Sequence, residues 1–236
     1  YVCGSITLNG GLNPKDIEKA SKEMSNPWVV WFPSINAKAH HEAVAGDEAW
    51  KSLFVGVELG DPVSVIDDSG KLTSQAIETI DAIAGTNAIL ATGHLSSDEI
   101  GILVPEAIKC GVKAIILTHV SSRHNRLPIA LQQKVIALGQ ESGVPVFAEH
   151  CAITWIDGKS GAYDLLKNFV EPIRAVGVEH CILSSDCGRV VPSGSTKPVT
   201  PIDCLTMFSE YLIERGVSVE DLRWMIVTNP RKLFGY

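Results

Sequence analysis

Four apolar runs in this chain each end in a side chain able to hold a metal ion or a proton. They are Ala88-Ile89-Leu90-Ala91-Thr92-Gly93-His94, Ala114-Ile115-Ile116-Leu117-Thr118-His119, Val144-Pro145-Val146-Phe147-Ala148-Glu149-His150, and Cys181-Ile182-Leu183-Ser184-Ser185-Asp186. Three or four imidazole and carboxylate donors hold a zinc-like ion and leave one position for water. Such an ion lowers the water's pKa to about 7 and polarises a scissile carbonyl. A nearby carboxylate then takes the water's proton and hands it to the leaving group. His94, His119 and Asp186 are the candidate ligands, and Asp186 is also the candidate general base. Glu149 and His150 are expected to touch substrate or to hold the ligands in place. The plainer alternatives are a loop histidine at 94, a core histidine at 119 and a helix cap or buried carboxylate at 186.

Each run is strand-length and mostly aliphatic, and helix-length stretches separate them. Strands and helices in alternation imply a parallel sheet. The carboxyl ends of its strands lie on one side, where the sites of such folds collect. The same reading gives a strand over 1–8, a helix over 14–24 capped by Asn13 with Pro14 at its first position, and a strand over 28–32. A small hairpin insertion is expected at about 52–73, with a tight turn at Asp67-Asp68-Ser69-Gly70-Lys71. Helices follow over 73–84, from Ser96 to Cys110, from Leu127 to Ser142, over 163–176, over 201–215 and over 219–226. Ser96 and Glu99 form a capping box, and Gly111 and Gly143 are stops. Visible strands number six, over 1–8, 28–32, 88–93, 113–118, 144–148 and 180–185. The chain reads as one domain, 1–236.

Other polar residues are weaker candidates. His40 and His41 lie in a polar stretch, 36–51, read as an irregular loop with some helix. They are expected at the surface, within reach of the rim as substrate contacts. Arg189, just after Asp186, could orient a substrate carboxylate. His124 and Arg126 belong to a solvated loop, and His180 precedes its strand at the far end, where it is structural. Gly10-Gly11 is a turn without a full phosphate-loop pattern. The Pro/Ser/Thr/Gly stretch 190–201 is long enough to act as a lid.

Composition narrows the class. The chain has 236 residues, 45% hydrophobic and 20% charged, as in a globular protein with a full core. No apolar stretch is long enough to span a bilayer. The net charge of -7 disfavours nucleic acid and anionic membrane as partners, which leaves a small-molecule substrate. Six scattered cysteines without a C-x-x-C pair are expected as reduced thiols in a cytoplasmic protein. Cys151 and Cys187, each directly behind a candidate residue, are expected to pack beside the site.

Several segments together resemble the amidohydrolase superfamily of metal-dependent hydrolases. Asn229-Pro230-Arg231-Lys232-Leu233-Phe234-Gly235 resembles its N-P-A-x-x-[LF]-G-[LF] terminus. Ser184-Ser185-Asp186-Cys187-Gly188 resembles its strand-8 motif, whose aspartate binds metal and acts as base. Thr92-Gly93-His94 and Thr118-His119 sit where its strand-5 and strand-6 histidine ligands belong. An uncharacterised branch also shares Gly10-Gly11-Leu12-Asn13-Pro14, Val30-Trp31-Phe32-Pro33 and the Ala91 to Ser96 element.

The resemblance implies a (β/α)₈ TIM-barrel-like fold and a divalent metal, zinc first, with manganese or iron as alternates. It implies hydrolysis of a small amide, cyclic amide, lactone or related bond. Two departures follow. The superfamily's first strand carries His-x-His, and none occurs here. Counting back from Asp186 as strand 8 leaves strands 1 and 2 outside this chain, lost or supplied by another polypeptide. The fourth strand ends in Pro33-Ser34, with Lys38 and Glu42 off the motif for a bridging ligand, which favours a mononuclear site. The alternatives are a metal-dependent decarboxylase or phosphoesterase on the same scaffold, or a non-catalytic subunit that needs a partner chain. A homo-oligomer, or association with a chain carrying the missing strands, is the expected assembly.

Overall fold

From the second strand onward, mostly apolar runs give short, largely buried strands here, and the polar-faced stretches between them give helices. The computed structural model describes residues 3–25, 27–46, 60–122, 127–153, 169–187 and 200–236. It divides into two compact units, Tyr1–Thr118 with Arg123–Val146, and His119–Ser122 with Phe147–Tyr236.

The first unit carries four strands, β1 (Ser5–Thr7), β2 (Trp28–Trp31), β3 (Ala88–Ala91) and β4 (Ile115–Leu117), side by side in that order. Every pairing is parallel, with Ile6 opposite Val30, Val30 opposite Leu90, and Ala91 opposite Ile116. Strands β3 and β4 are buried at every position. Cover on both faces is what allows an unbroken apolar run instead of alternation. The helices are α1 (Pro14–Glu23), α2 (Lys38–Val44), α3 (Ser74–Ala84), α4 (Ser97–Lys109) and α5 (Ile129–Ser142). Helix α1 packs on α3, α3 on α4 and α4 on α5.

Their ends follow the sequence signals. Asn13 caps α1 through Lys15 N–H, Thr73 caps α3 through Ala76 N–H, and Gly143 closes α5 in left-handed backbone. The expected capping box at Ser96 and Glu99 is present. It also has a second role that local pattern does not show. Glu99 is buried, and its Oε1 accepts from Ser64 Oγ (2.8 Å) and Val65 N (3.0 Å), while Oε2 accepts from Ser96 N and Oγ (both 2.8 Å). One carboxylate therefore starts α4 and fastens the 63–66 segment to it.

The expected hairpin is partly covered by the description, since 52–59 lie outside it. Its remainder is an antiparallel bridge of Ile66 with Leu72 around the predicted turn, in which Asp67 Oδ1 accepts from Ser69 and Lys71 N–H.

The second unit holds nearly all of β5 (Val146–Cys151), and β6 (Cys181–Ser184), paired in parallel with Glu149 opposite Ile182 and Cys151 opposite Ser184. Helices α6 (Val170–Val176), α7 (Pro201–Glu214), α8 (Val219–Arg223) and α9 (Asn229–Phe234) follow. Phe169 and Phe208 are fully buried and meet edge-on, 4.9 Å between ring centres. The predicted helix over 219–226 ends early, and a π-helical turn, Trp224–Thr228, leads straight into α9. Pro230 has no N–H to give the ladder. Asn229, fully buried, donates instead through Nδ2 to Val178 O (2.7 Å) and Cys181 O (2.6 Å), which ties the end of the chain to β6.

The cysteine expectation needs correction. Cys187 and Cys204 are joined as a disulfide, 17 residues apart, so not all six are thiols. Sequence spacing alone could not show that the end of β6 and the start of α7 meet.

Glu99→Ala should lower unfolding free energy by about 2–4 kcal/mol in urea denaturation, because it strands buried N–H and O–H donors as well as the cap. The exposed neighbour change Asp98→Ala should stay within about 0.5 kcal/mol.

Candidate metal centre

In the second unit the strand carrying Glu149 runs further than its apolar pattern indicates. Strand β5 continues to Cys151, so Glu149, His150 and Cys151 are strand residues and not loop residues. Successive strand side chains alternate between faces. Glu149 and Cys151 therefore share one face, with Ser184 beside Cys151 across the pair (Sγ to Oγ 3.1 Å). His150 takes the opposite face.

His119 is brought to the Glu149 face by a tight turn. Ser122 N–H donates to His119 O (2.7 Å), and Val120 N–H to Glu149 O (3.1 Å). The His119 ring lies with Nδ1 2.7 Å from Cys151 Sγ and Nε2 3.6 Å from Asp186 Oδ2. His119 (φ 50°) and Asp186 (φ 46°) are the two non-glycine residues with left-handed backbone among the described residues. Such conformations cost of order 1 kcal/mol or more each and gather at functional sites. Asp186 is half exposed and His119 mostly covered.

Donor chemistry fits a divalent ion. One ligand atom each from His119, Glu149 and Cys151 lies within 4.8 Å of the others. Glu149 is buried, and its Oε2 has no hydrogen-bond partner among the described residues. A buried carboxylate oxygen left unbonded is costly unless a cation or donor meets it. Burial pushes the Cys151 thiol well above its usual pKa, and the Glu149 and Asp186 carboxylates push the same way. Nitrogen, oxygen and sulfur together suit zinc.

His150 is fully buried, with Nδ1 3.2 Å from Ser121 Oγ and its ring edge-on to Phe169 at 6.0 Å. Burial pushes its pKa down to about 3, so it is neutral in the fold. It sits in packing, apart from the Glu149 face.

The first unit holds the other histidine pair. Thr92 Oγ1 accepts from Thr118 N (2.9 Å), and Gly93 N donates to Thr118 Oγ1 (3.1 Å). A Cβ at Gly93, where φ is 61°, would lie 2.3 Å from Phe32 O, so the loop needs glycine twice over. His94 N–H then donates to Pro33 O (2.9 Å). Its ring stacks on His40 with the two Nδ1 atoms 2.8 Å apart. That spacing calls for one shared proton, an N–H of one ring donating to the other.

His40 corrects the surface expectation. It is 1% exposed, because α2 turns it and Val44, one turn on, to the inside. His41 is half-buried. Arg189, His124, Arg126 and the stretch 190–199 lie outside the described residues. Cys151, expected from the sequence to pack beside the site, is the candidate ligand that the sequence reading did not name as such, and the period of two from Glu149 was the signal that could have found it.

Residues 1–141 match the "Family of unknown function (DUF6282)", and the chain belongs to that family. A search of curated proteins finds no match. Among solved structures, the chain is similar to an organophosphorus hydrolase from Deinococcus radiodurans, with 17% identity and a TM-score of 0.51 over 98% of this chain and 78% of that one. It is also similar to a phosphotriesterase homology protein from Escherichia coli (16%, TM-score 0.46, 98% and 83%). A further match is a putative 2-pyrone-4,6-dicarboxylic acid hydrolase from Pseudomonas putida (12%, TM-score 0.45, 94% and 86%). The first of these shows the fold, a TIM-barrel-like parallel α/β arrangement, as the resemblance implies. No described helix is long and apolar enough to cross a membrane.

The depressed pKa of His150 has a sign that can be checked. The unfolded chain takes up a proton near pH 6.5 that the fold refuses until about pH 3. Stability is therefore retained above pH 6.5 and falls as pH drops toward 3, at up to about 1.4 kcal/mol per pH unit. Urea denaturation in chelator from pH 7 to 4 should show this slope, and His150→Gln should flatten it.

Proposed function

We propose that this chain is a metal-dependent hydrolase acting on a small amide, cyclic amide, lactone or related bond. His119 helps to hold the ion, zinc in preference to manganese or iron, and Asp186 is the general base. The observation that carries the reading is the pair itself. His119 and Asp186 both follow strands, both adopt left-handed backbone, and face one another at 3.6 Å. The fold shared with an organophosphorus hydrolase supports it.

A bound divalent ion would supply Lewis acidity and a more acidic water. The rest falls to the chain. Asp186, half exposed, is open to solvent and substrate. Its carboxylate accepts the proton of the attacking water and returns it to the leaving group. The Asp186 carboxylate lies 3.6 Å from His119 Nε2, close enough to help orient the ring. Ser184 steadies Cys151 from β6.

Phosphoester cleavage is the second reading, favoured by the fold likeness to the organophosphorus hydrolase. The two are separated by a panel of lactones, cyclic amides and phosphotriesters.

Elemental mass spectrometry of the purified full chain should find about one divalent ion per site of this kind, and His119→Ala should lose it. Asp186→Asn should keep the ion and lower kcat by about 10²–10⁴-fold on whichever panel member is turned over. A chain that takes up no divalent ion, even after reconstitution, and turns over nothing in the panel contradicts the reading. That outcome moves the case to a subunit that needs a partner chain.

A further inference from the structure

We infer that Cys151 and Glu149 are themselves metal ligands, so that the ion in the second unit sits on a mixed imidazole, carboxylate and thiolate set supplied by His119, Glu149 and Cys151. The inference rests on the hydrolase reading only in that both involve an ion at His119. It adds a sulfur ligand, which the two-histidine and aspartate set implied by the sequence does not contain.

Three observations carry it. The ligand atoms of the three residues lie within 4.8 Å of one another. Glu149 is 6% exposed and its Oε2 has no hydrogen-bond partner among the described residues, so a residue of the cluster carries a buried, unsatisfied acceptor. Cys151 is 1% exposed, with His119 Nδ1 on one side at 2.7 Å and Ser184 Oγ on the other at 3.1 Å. A hydroxyl can donate to a thiolate and hold it in place. A cysteine serving only as apolar packing has no use for three polar neighbours.

The arrangement also has a structural origin. Glu149 and Cys151 are two apart on one strand, so the pleat alone puts them on one face. The Val120 N–H bond to Glu149 O fixes the His119 turn to that same strand. Two of three ligands thus come from a rigid element, which suits a well-defined site. Asp186 contacts the other His119 nitrogen and lies outside this ligand cluster. Binding exchanges the thiol proton for the ion. The S–H bond breaks, the proton passes to buffer, and the sulfur lone pair bonds the metal.

Cobalt(II) is the probe. Added to the metal-free full chain, it should produce a near-ultraviolet thiolate-to-cobalt charge-transfer band together with visible cobalt absorption. Cys151→Ser should abolish the band and weaken cobalt binding by more than about tenfold. Cys110→Ser and Cys3→Ser should leave both unchanged. Should Cys151→Ser fail to fold, X-ray absorption of the zinc-loaded wild type decides, with a sulfur scatterer expected at about 2.3 Å. Visible cobalt absorption without the charge-transfer band, a band that survives Cys151→Ser, or a zinc shell of nitrogen and oxygen alone overturns the thiolate ligand and leaves the hydrolase reading standing. No cobalt or zinc binding at all overturns both.

Discussion

The left-handed backbone at His119 and Asp186 is the constraint on which the proposed metal centre depends. In a strand that simply ran on, pleat alternation alone would set the face each side chain takes. Reversal at φ 50° and φ 46° turns both side chains so that they face each other beside Glu149 and Cys151. That reversal is unfavourable for residues with a Cβ. At His119 it is held by bonds around the turn, Ser122 N–H to His119 O and Val120 N–H to Glu149 O. Buried β5 and β6 supply the rigid floor against which it is held. Stability made in the packed strands thus offsets the cost of two side chains placed on left-handed backbone.

The two units solve the same problem differently. In the first, glycine removes the strain. Gly93 takes the left-handed turn after β3 at no side-chain cost and lets the backbone press against Phe32 and Pro33. His94 then follows in position to meet His40. In the second, no glycine precedes the candidate residue, and His119 itself takes the turn. The first arrangement yields a proton-sharing histidine pair, and the second an imidazole set between the Asp186 carboxylate and the Cys151 sulfur.

The strands and helices were legible in the sequence because long aliphatic runs, capping boxes and stop glycines act locally. Helices α1, α3, α4 and α5 end within a residue or two of their signals. Three features were not legible, each for a physical reason. Strand β5 extends to Cys151 because parallel pairing with β6, not apolarity, sets its length. His40 is inside because α2 has an inner face, which a short polar stretch does not announce. Cys187 and Cys204 meet through the fold, 17 residues apart. The candidate residues themselves stood out because each is a polar group at the end of a buried strand. Cys151 did not stand out as a candidate ligand, because it shares the Glu149 face only through strand alternation, which turns His150 to the opposite face.

The most direct test is anomalous diffraction at the metal edge from crystals of the full chain grown with zinc. One anomalous peak is expected within bonding distance of a His119 ring nitrogen, among the Glu149 and Cys151 ligand atoms, with the Asp186 carboxylate nearby. A peak at the His40–His94 pair alone, or no peak within bonding distance of His119, would contradict the metal centre proposed for the second unit.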